Sequence, residues 1–314
     1  MKKEKIKFLM LLILAFHFWK NVSAQQDAMF THYMFNTLAV NPGYAGTRDV
    51  LTATVINRNQ WVGFKGAPVT QTFTIQSPVF QKKLGIGLSF ISDKAGPIKN
   101  TGIFFDCAYR LKISRRAKIA FGLKGGVSML NTDLKGINLD QGGDISFQNN
   151  FTSSILPNFG FGFYYFREKL FVGVSCPKVL ENNYSTNEVS GSIDLIKNKK
   201  HFFFIAGHYF QLNSEVELKA FSFVKMTFGA PVEADLTANF IFNKQFSIGG
   251  MFRSGDAIGL LVGCKLTEQL YLGYSFDWSY GLSTAKYNNG SHEIVLRYDF
   301  IFKEQNQISS PRHF

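Results

Sequence analysis

Apolar and polar residues alternate along much of the chain between residues 50 and 300. In 270–278, Leu, Leu, Tyr, Phe and Trp occupy the even positions, and Tyr, Gly, Ser and Asp occupy the odd ones. A period of two places the two sets on opposite faces of a β-strand. Segments 232–242 and 291–300 alternate in the same way, and turn signals separate the segments. The pattern therefore predicts an all-β fold.

Fourteen strands are predicted in this region. Their cores are residues 50–58, 69–77, 84–92, 102–113, 118–129, 155–166, 170–176, 201–211, 215–226, 232–242, 245–253, 257–266, 270–278 and 291–300. Short connections such as 114–117 and 243–244 alternate with longer ones such as 93–101 and 130–154, although 254–256 on the long side is short. This asymmetry is typical of outer-membrane barrels. An even strand number then places both termini on the short-turn, periplasmic side.

A soluble β-sandwich also alternates, with its apolar residues turned inward. Three features favour a membrane barrel instead. Strands of about 9–12 residues match a tilted bilayer crossing, and aromatic residues gather near strand ends, as in an interfacial girdle. The polar face also combines small and charged side chains, as expected of a polar lumen. We therefore predict an all-β, transmembrane antiparallel β-barrel of about 14 strands over residues 50–300.

The chain begins with the pattern of a secretory signal peptide. Residues 1–7 are basic, 8–19 are apolar, and small residues at 22–24 suit cleavage after Ala24. The apolar run is shorter than the roughly 20 residues that a membrane-spanning helix needs, which disfavours an N-terminal membrane anchor. We therefore predict a signal peptide at 1–24 and export to the outer membrane.

The segment 25–49 does not alternate like a strand. Apolar side chains within 26–40 recur at roughly helical spacing, and Asn-Pro-Gly at 41–43 ends the pattern. Irregular backbone is too costly to expose to lipid. We therefore predict a short plug in the lumen or at the periplasmic mouth. Residues 301–314 form a C-terminal tail past the last strand.

The basic composition could suggest a nucleic-acid partner, but the predicted export argues against one. The chain carries a formal charge of +12, of which residues 1–24 contribute +4 through five Lys and one Glu. The remaining basic residues suit a rim that attracts anionic lipid headgroups or acidic partners. Three cysteines, Cys107, Cys176 and Cys264, lie in or at the end of apolar runs. Their odd count predicts no disulfide framework.

No set of residues predicts catalysis, a cofactor or a metal site. The histidines are scattered, without the spacing of metal ligands. Gly85-Ile86-Gly87 and the glycines at 122, 125 and 126 lie inside predicted strands rather than at a strand-to-helix turn, so they do not predict a phosphate loop. In a barrel wall, glycine more often marks a bend or close packing. We therefore expect a protein that is not an enzyme.

A succession of short sequence strings along the chain indicates a protein family more specifically than the composition does. The strings are QDAMF at 26–30, YMFN at 33–36, NPGYAG at 41–46, RNQWVGFKGAP at 58–68, TQT at 70–72, GAP at 229–231, RSGDA at 253–257, GSHEI at 290–294 and RYDF at 297–300. In this order they resemble the signatures of the PorP/SprF family, which belongs to the type IX secretion and gliding machinery of Bacteroidetes. The tail 301–314 departs from the family pattern, because it runs past the last strand.

The resemblance implies a non-enzymatic outer-membrane component of the type IX secretion system. It implies a role in secretion or surface attachment of a large adhesin, and docking to periplasmic ring components. The implied partners are membrane lipid, the secreted surface adhesin, and periplasmic ring lipoprotein and motor components. An outer-membrane porin or small-molecule transporter stays open as the alternative, because fourteen strands can enclose a ligand path.

The candidate partner-binding residues are Trp61, Phe64, Lys65, Arg253 and Asp256. The first three lie in the predicted first external loop, 59–68, where aromatic and basic groups among glycines favour protein contact. Two other interpretations stay open. Trp61 could anchor the barrel at the membrane interface or pack over the lumen, and Arg58, Arg253 and Asp256 could form a charge network in the lumen.

Overall fold

The structure is a computed structural model of the 314-residue chain. It describes residues 29–133, 151–152, 155–181, 183–186, 193–197, 199–281 and 286–301. The predicted signal peptide at 1–24 lies outside the described residues, as do residues 302–314 of the predicted tail. Parts of the predicted long connections 130–154 and 177–200 also lie outside them.

Within the described residues, fourteen antiparallel strands form one closed sheet. They are β1 (Leu51–Asn59), β2 (Val69–Val79), β3 (Leu84–Ala95), β4 (Ile98–Lys112), β5 (Ala117–Thr132), β6 (Leu156–Arg167), β7 (Leu170–Cys176), β8 (His201–Gln211), β9 (Val216–Thr227), β10 (Glu233–Phe242), β11 (Phe246–Arg253), β12 (Ala257–Lys265), β13 (Leu270–Ser279) and β14 (Ser291–Phe300). Each strand pairs with its neighbours in sequence, and β1 pairs with β14 to close the barrel. The predicted fourteen-stranded barrel is confirmed.

Three shorter strands lie outside this ring of fourteen. Phe151–Thr152 pairs with the end of β5. Asn183–Thr186 and Ile193–Lys197 pair with each other in a separate two-stranded sheet. Both features belong to the connections that follow β5 and β7, so they extend from the end of the barrel where those strands finish.

The two ends of the barrel differ in their connections. Short turns join the strands at one end, called here the short-turn end; they are residues 80–83, 113–116, 168–169, 212–215, 243–245 and 266–269. The opposite end, called here the long-loop end, carries the connections after β1, β5, β7 and β13. Strand β1 begins and β14 finishes at the short-turn end, where Leu51 lies opposite Phe300. This arrangement agrees with a periplasmic location of the short-turn end.

The faces of the sheet are inverted relative to those of a soluble sandwich. On β13, Leu272, Tyr274 and Trp278 are exposed, whereas Ser275 and Asp277 are buried. Exposed large apolar residues occur on the same outward face around the barrel. A closed sheet satisfies the backbone hydrogen bonds that lipid cannot, and its apolar exterior suits the bilayer. The polar face therefore lines the lumen.

Strand pairing runs further than the alternation predicted. Residues 93–101 were expected to form a long loop, but β3 continues to Ala95, β4 starts at Ile98, and only two residues connect them. Asp93 lies opposite Asn100 and Lys94 opposite Lys99 in this hairpin. Both of its faces carry polar groups, so pairing continues where apolar alternation has ended. Such a hairpin extends naturally into water.

The chain before β1, residues 29–50, is called here the N-terminal segment. It contains only a short helix, α1 (Thr37–Val40), followed by a 3-10 turn at Pro42–Tyr44. The expected helical periodicity over 26–40 does not give a longer helix. Side chains at Met29 to Tyr33 are all buried, so burial is not restricted to one helical face. Among the described residues, no helix is long and apolar enough to span a bilayer.

The N-terminal segment crosses the barrel from end to end. Thr31 contacts Glu293, near the long-loop end of β14, whereas Arg48 contacts Asp299, near the short-turn end of the same strand. The expectation that the chain starts on the short-turn side is therefore wrong for its first described residues. The even number of strands determines at which end of the barrel β1 begins, but it does not determine the path of the chain that leads to β1.

Candidate functional site

The inner wall around the N-terminal segment is the most elaborate polar site in the described part of the protein. Side chains from β1, β2, β4, β5, β7, β10, β11, β13 and β14 contact the segment. These strands lie on opposite sides of the barrel. The segment is therefore held among the inward-facing residues rather than against one strand.

A carboxylate cluster binds the segment at the long-loop end. Glu293 accepts hydrogen bonds from the backbone N–H groups of Thr31 (2.8 Å) and His32 (2.6 Å). The His32 Nδ1 atom lies 2.9 Å from the same carboxylate. Arg58 lies 2.7 Å from Asp277 and 3.2 Å from Glu293. Thr31 completes the cluster, because its hydroxyl donates to Asp277 at 2.5 Å and accepts from Arg58 at 2.7 Å.

A second buried pair lies beside this cluster. Arg253 donates to both carboxylate oxygens of Asp235, with its Nη2 atom 2.8 Å from Oδ2. The same nitrogen donates to the Phe30 carbonyl at 2.9 Å. Tyr33 then donates to the Thr237 hydroxyl at 3.2 Å.

The middle of the segment is held by one ion pair and by amide and hydroxyl contacts. Lys124 lies 2.8 Å from Asp106 and donates to the Leu38 carbonyl at 3.3 Å. Ser175 donates to the Val40 carbonyl at 2.7 Å. The Asn41 amide donates to the Phe163 carbonyl at 3.1 Å. The Lys124 and Ser175 contacts satisfy carbonyl groups at the end of α1 that its own four residues cannot pair, and the Asn41 contact joins the segment to the backbone of β6.

Glycines in the wall allow the segment to approach the strand backbone. A Cβ atom at Gly85 would lie 1.9 Å from the Ala45 carbonyl oxygen, and one at Gly122 would lie 2.2 Å from the Gly43 nitrogen. At Gly162 the added atom would lie 2.2 Å from the Asn41 side chain. Larger residues do not fit at these positions. The sequence expectation of close packing at the Gly85 and Gly122 strings has this geometric basis.

Two arginines hold the segment at the short-turn end. Arg48 makes a two-pronged contact with Asp299, at 3.1 Å through Nε and 2.7 Å through Nη2. Arg110 donates to the Gly46 carbonyl at 2.5 Å and to Asp49 at 3.0 Å. Arg110 and Asp299 are buried, whereas Arg48 and Asp49 are partly exposed, and a buried charge is stable only when it is paired and hydrogen-bonded. The pairs therefore fix the segment against the wall at both ends.

The candidate partner residues fall into two groups. Phe64 is 43% exposed and Lys65 is exposed, both in the connection after β1. Trp61 in the same connection is half-buried, and its backbone N–H donates to the Ser291 hydroxyl at 3.2 Å. Arg253 is instead buried against Asp235, and Asp256 lies 3.5 Å from it at the rim. The structure thus joins Arg253 and Asp256 and keeps them apart from the exposed loop residues.

Sequence reasoning named Arg58, Arg253 and Asp256, and the structure pairs Asp256 with Arg253, but the carboxylates closest to the two arginines were missed. Asp235, Asp277 and Glu293 had been noted only as members of the polar strand faces. The signal that identifies them is an acidic residue at an inward position near the end of a strand. Lys124 and Asp106 are likewise charged residues at inward positions, but they lie in the middle of their strands. Among the described residues, no group of three or more His, Cys, Asp or Glu side chains could hold a metal ion.

Comparison with known proteins identifies the family. The profile of the type IX secretion system membrane protein PorP/SprF matches residues 22–298. The chain belongs to the PorP/SprF family. The match covers the whole barrel apart from its last two residues, together with the N-terminal segment. The ordered strings found in the sequence are therefore a correct indication of family.

Three solved structures are similar to this chain in outline. The Acinetobacter baumannii outer membrane protein Omp33 is 9% identical, with a TM-score of 0.44, over 80% of this chain and 99% of its own. A Pseudomonas aeruginosa FadL homologue is 10% identical, with a TM-score of 0.44, over 80% and 89%. The CymD monoaromatic hydrocarbon channel is 10% identical, with a TM-score of 0.47, over 85% and 93%. No curated protein matches the chain.

Family and architecture together define the protein at a coarse level. It is an outer-membrane component of the type IX secretion system. Its closed antiparallel sheet and apolar exterior are those of an outer-membrane barrel. The outer-membrane location and the barrel fold predicted from the sequence are confirmed.

Proposed function

We propose that this PorP/SprF protein is a non-enzymatic accessory barrel that supports secretion or surface attachment of a large adhesin. It docks to periplasmic ring components at its short-turn end and to its client at its long-loop end. Family membership over residues 22–298 carries this proposal. The proposal extends the family's place in the secretion system to a specific client and specific contacts.

The lumen supports a docking role over the alternative of a porin. Ion pairs and hydrogen bonds fasten the N-terminal segment to the wall at both ends, through Glu293 and Arg58 at one and Asp299 at the other. An open pore would require the Thr31 and His32 N–H groups to leave the buried Glu293 carboxylate and Arg48 to leave Asp299, which is costly. We therefore propose that the segment acts as a plug.

The connection after β1 is the proposed client-binding surface. Phe64 and Lys65 are exposed there, and the connection is held in place by backbone hydrogen bonds between Val62 and Gly290 (2.8 Å) and between Asn289 and Val62 (2.8 Å). An exposed aromatic residue on a fixed loop loses little conformational entropy on binding. The Trp61 backbone N–H joins the loop to the Ser291 hydroxyl, and Asp256 adds a charge at the same end of the barrel.

The test is deletion of the gene followed by comparison of surface and periplasmic proteomes. Loss of one large adhesin from the surface is expected, with recovery on re-expression. A Phe64→Ser/Lys65→Glu variant is expected to recover only part of the surface adhesin. A Phe228→Ser/Lys99→Glu variant is the matched control, because both side chains are exposed at the same end. Unchanged surface proteins together with lower solute uptake would favour the porin instead.

A further inference from the structure

A cavity of about 310 Å³ lies between the N-terminal segment and the barrel wall at the short-turn end. Met34, Phe35 and Tyr44 of the segment line one side of it. Its rim includes Lys244 and Glu268, which belong to the turns that join β10 to β11 and β12 to β13. The cavity therefore opens towards the periplasm, and its volume is in the range of ligand-binding pockets.

Aromatic rings and cations face each other inside this cavity. The Arg297 guanidinium lies 4.9 Å from the centre of the Phe35 ring and 5.4 Å from that of Tyr271. The Lys219 ammonium lies 4.8 Å from the centre of the Tyr209 ring. Such contacts hold a cation in place without neutralising it. Both cations are thus held in fixed positions on the wall.

The carboxylates of the cavity offset these charges only in part. Asp299 is engaged by both Nε and Nη2 of Arg48, and it lies 3.5 Å from the Arg297 Nε atom, which makes no hydrogen bond. In the part of the chain that the structure describes, no salt bridge joins Lys219 to a carboxylate. The cavity is lined by five cations, Arg48, Lys219, Lys244, Lys265 and Arg297, and by three carboxylates, Glu217, Glu268 and Asp299.

We propose that this cavity binds an acidic peptide segment of a periplasmic partner, with a carboxylate beside Lys219 and Arg297 and a neighbouring aromatic side chain against the half-buried rings that line the cavity. Excess positive charge selects the carboxylate, and the ring faces select the aromatic group. The rim lies on exposed turns, so side chains can enter while the rest of the partner stays outside. The inference deepens the proposed periplasmic docking by naming its site and its ligand chemistry.

The test uses the full-length mature protein in lipid nanodiscs and two blocked peptides. The probes are acetyl-Phe-Glu-Phe-amide and its neutral counterpart acetyl-Phe-Gln-Phe-amide, titrated by calorimetry. The Glu peptide is expected to bind about tenfold more tightly than the Gln peptide, as for a hydrogen bond to a charged group. Lys219→Gln and Arg297→Gln are each expected to weaken its binding about tenfold. Lys169→Gln, on an exposed turn outside the cavity, is expected to leave binding unchanged.

The opposite results would overturn the proposal in distinct ways. Equal binding of the two peptides would show that charge does not select the ligand. An equal loss in Lys169→Gln would place the contact outside the cavity. Tighter binding of benzoate or inorganic phosphate than of the Glu peptide would replace the peptide by a small anion. If peptide binding fails while the deletion strain still loses its adhesin, only the cavity assignment is wrong and the proposed function stands.

Discussion

Replacing Glu293 by Gln tests whether the long-loop cluster holds the N-terminal segment. The Glu293 side chain is fully buried and faces four donors: the N–H groups of Thr31 and His32, the His32 ring and the Arg58 guanidinium. Gln has nearly the same shape but turns an NH₂ group towards at least one of these donors. It also leaves Arg58 with Asp277 as its remaining carboxylate partner.

The expected cost follows from this geometry. Breaking one side of a buried, hydrogen-bonded pair costs roughly 3–5 kcal/mol. Because Glu293 joins the segment to β14, this free energy destabilises the docked state of the segment more than the strand pairing of the barrel. At about 1.4 kcal/mol for each factor of ten, the population of undocked segment should rise at least a hundredfold.

Hydrogen exchange of the Thr31 and His32 amides measures the undocked population directly. Protection of these amides should fall by at least a hundredfold in Glu293→Gln, while protection within β5 and β6 stays close to that of the wild type. Glu215→Gln, in an exposed turn, is the matched control and should change neither. Unchanged protection of Thr31 and His32 in a folded Glu293→Gln barrel would refute the assignment of the cluster as an anchor.

Three further predictions address the rest of the inner wall. Gly85→Val should displace the segment, because even a Cβ atom there meets the Ala45 carbonyl. Urea unfolding should show a lower free energy of unfolding for this variant. Gly125→Val is the control, because its Cβ atom would meet open space, and it should lower the free energy of unfolding much less. Lys124→Met should cost roughly 3–5 kcal/mol by leaving Asp106 unpaired, and Lys124→Met/Asp106→Leu should recover most of this in the same urea titration. Deletion of residues 26–40 should raise single-channel conductance in planar bilayers, and an unchanged conductance would contradict the plug.

Much of the barrel was predictable because each strand has two different environments. Alternation at 270–278 reports lipid on one side and lumen on the other, and the observed β13 matches it within one residue. The same reasoning failed at 93–101, where water surrounds both faces and alternation carries no signal. It also failed for the path of the N-terminal segment, because sequence periodicity does not show at which end an irregular, buried segment enters the barrel.

The candidate site was predictable only in part, for a related reason. A charged residue on an inward face is visible in the sequence, so Arg58 and Arg253 could be singled out. Their partners could not be assigned, because Asp277 and Asp235 are brought to them by barrel closure and register rather than by a local pattern. Aromatic side chains on the outward face were predictable as lipid contacts, whereas Tyr209 and Tyr271 on the inward face were not predicted to line a cavity.

The contact between Thr31 and Glu293 has a consequence for the order of assembly. The two residues are 262 positions apart, so one of the first parts of the exported chain to be made binds the last strand. Strand β14 also pairs with β1. The same strand therefore closes the barrel wall and binds the N-terminal segment inside the barrel. Contacts this distant in sequence form late, because loop closure must precede them. A chain truncated before β14 would therefore lose the seam of the barrel and the Thr31–Glu293 contact of its N-terminal segment together, which couples docking of the segment to completion of synthesis.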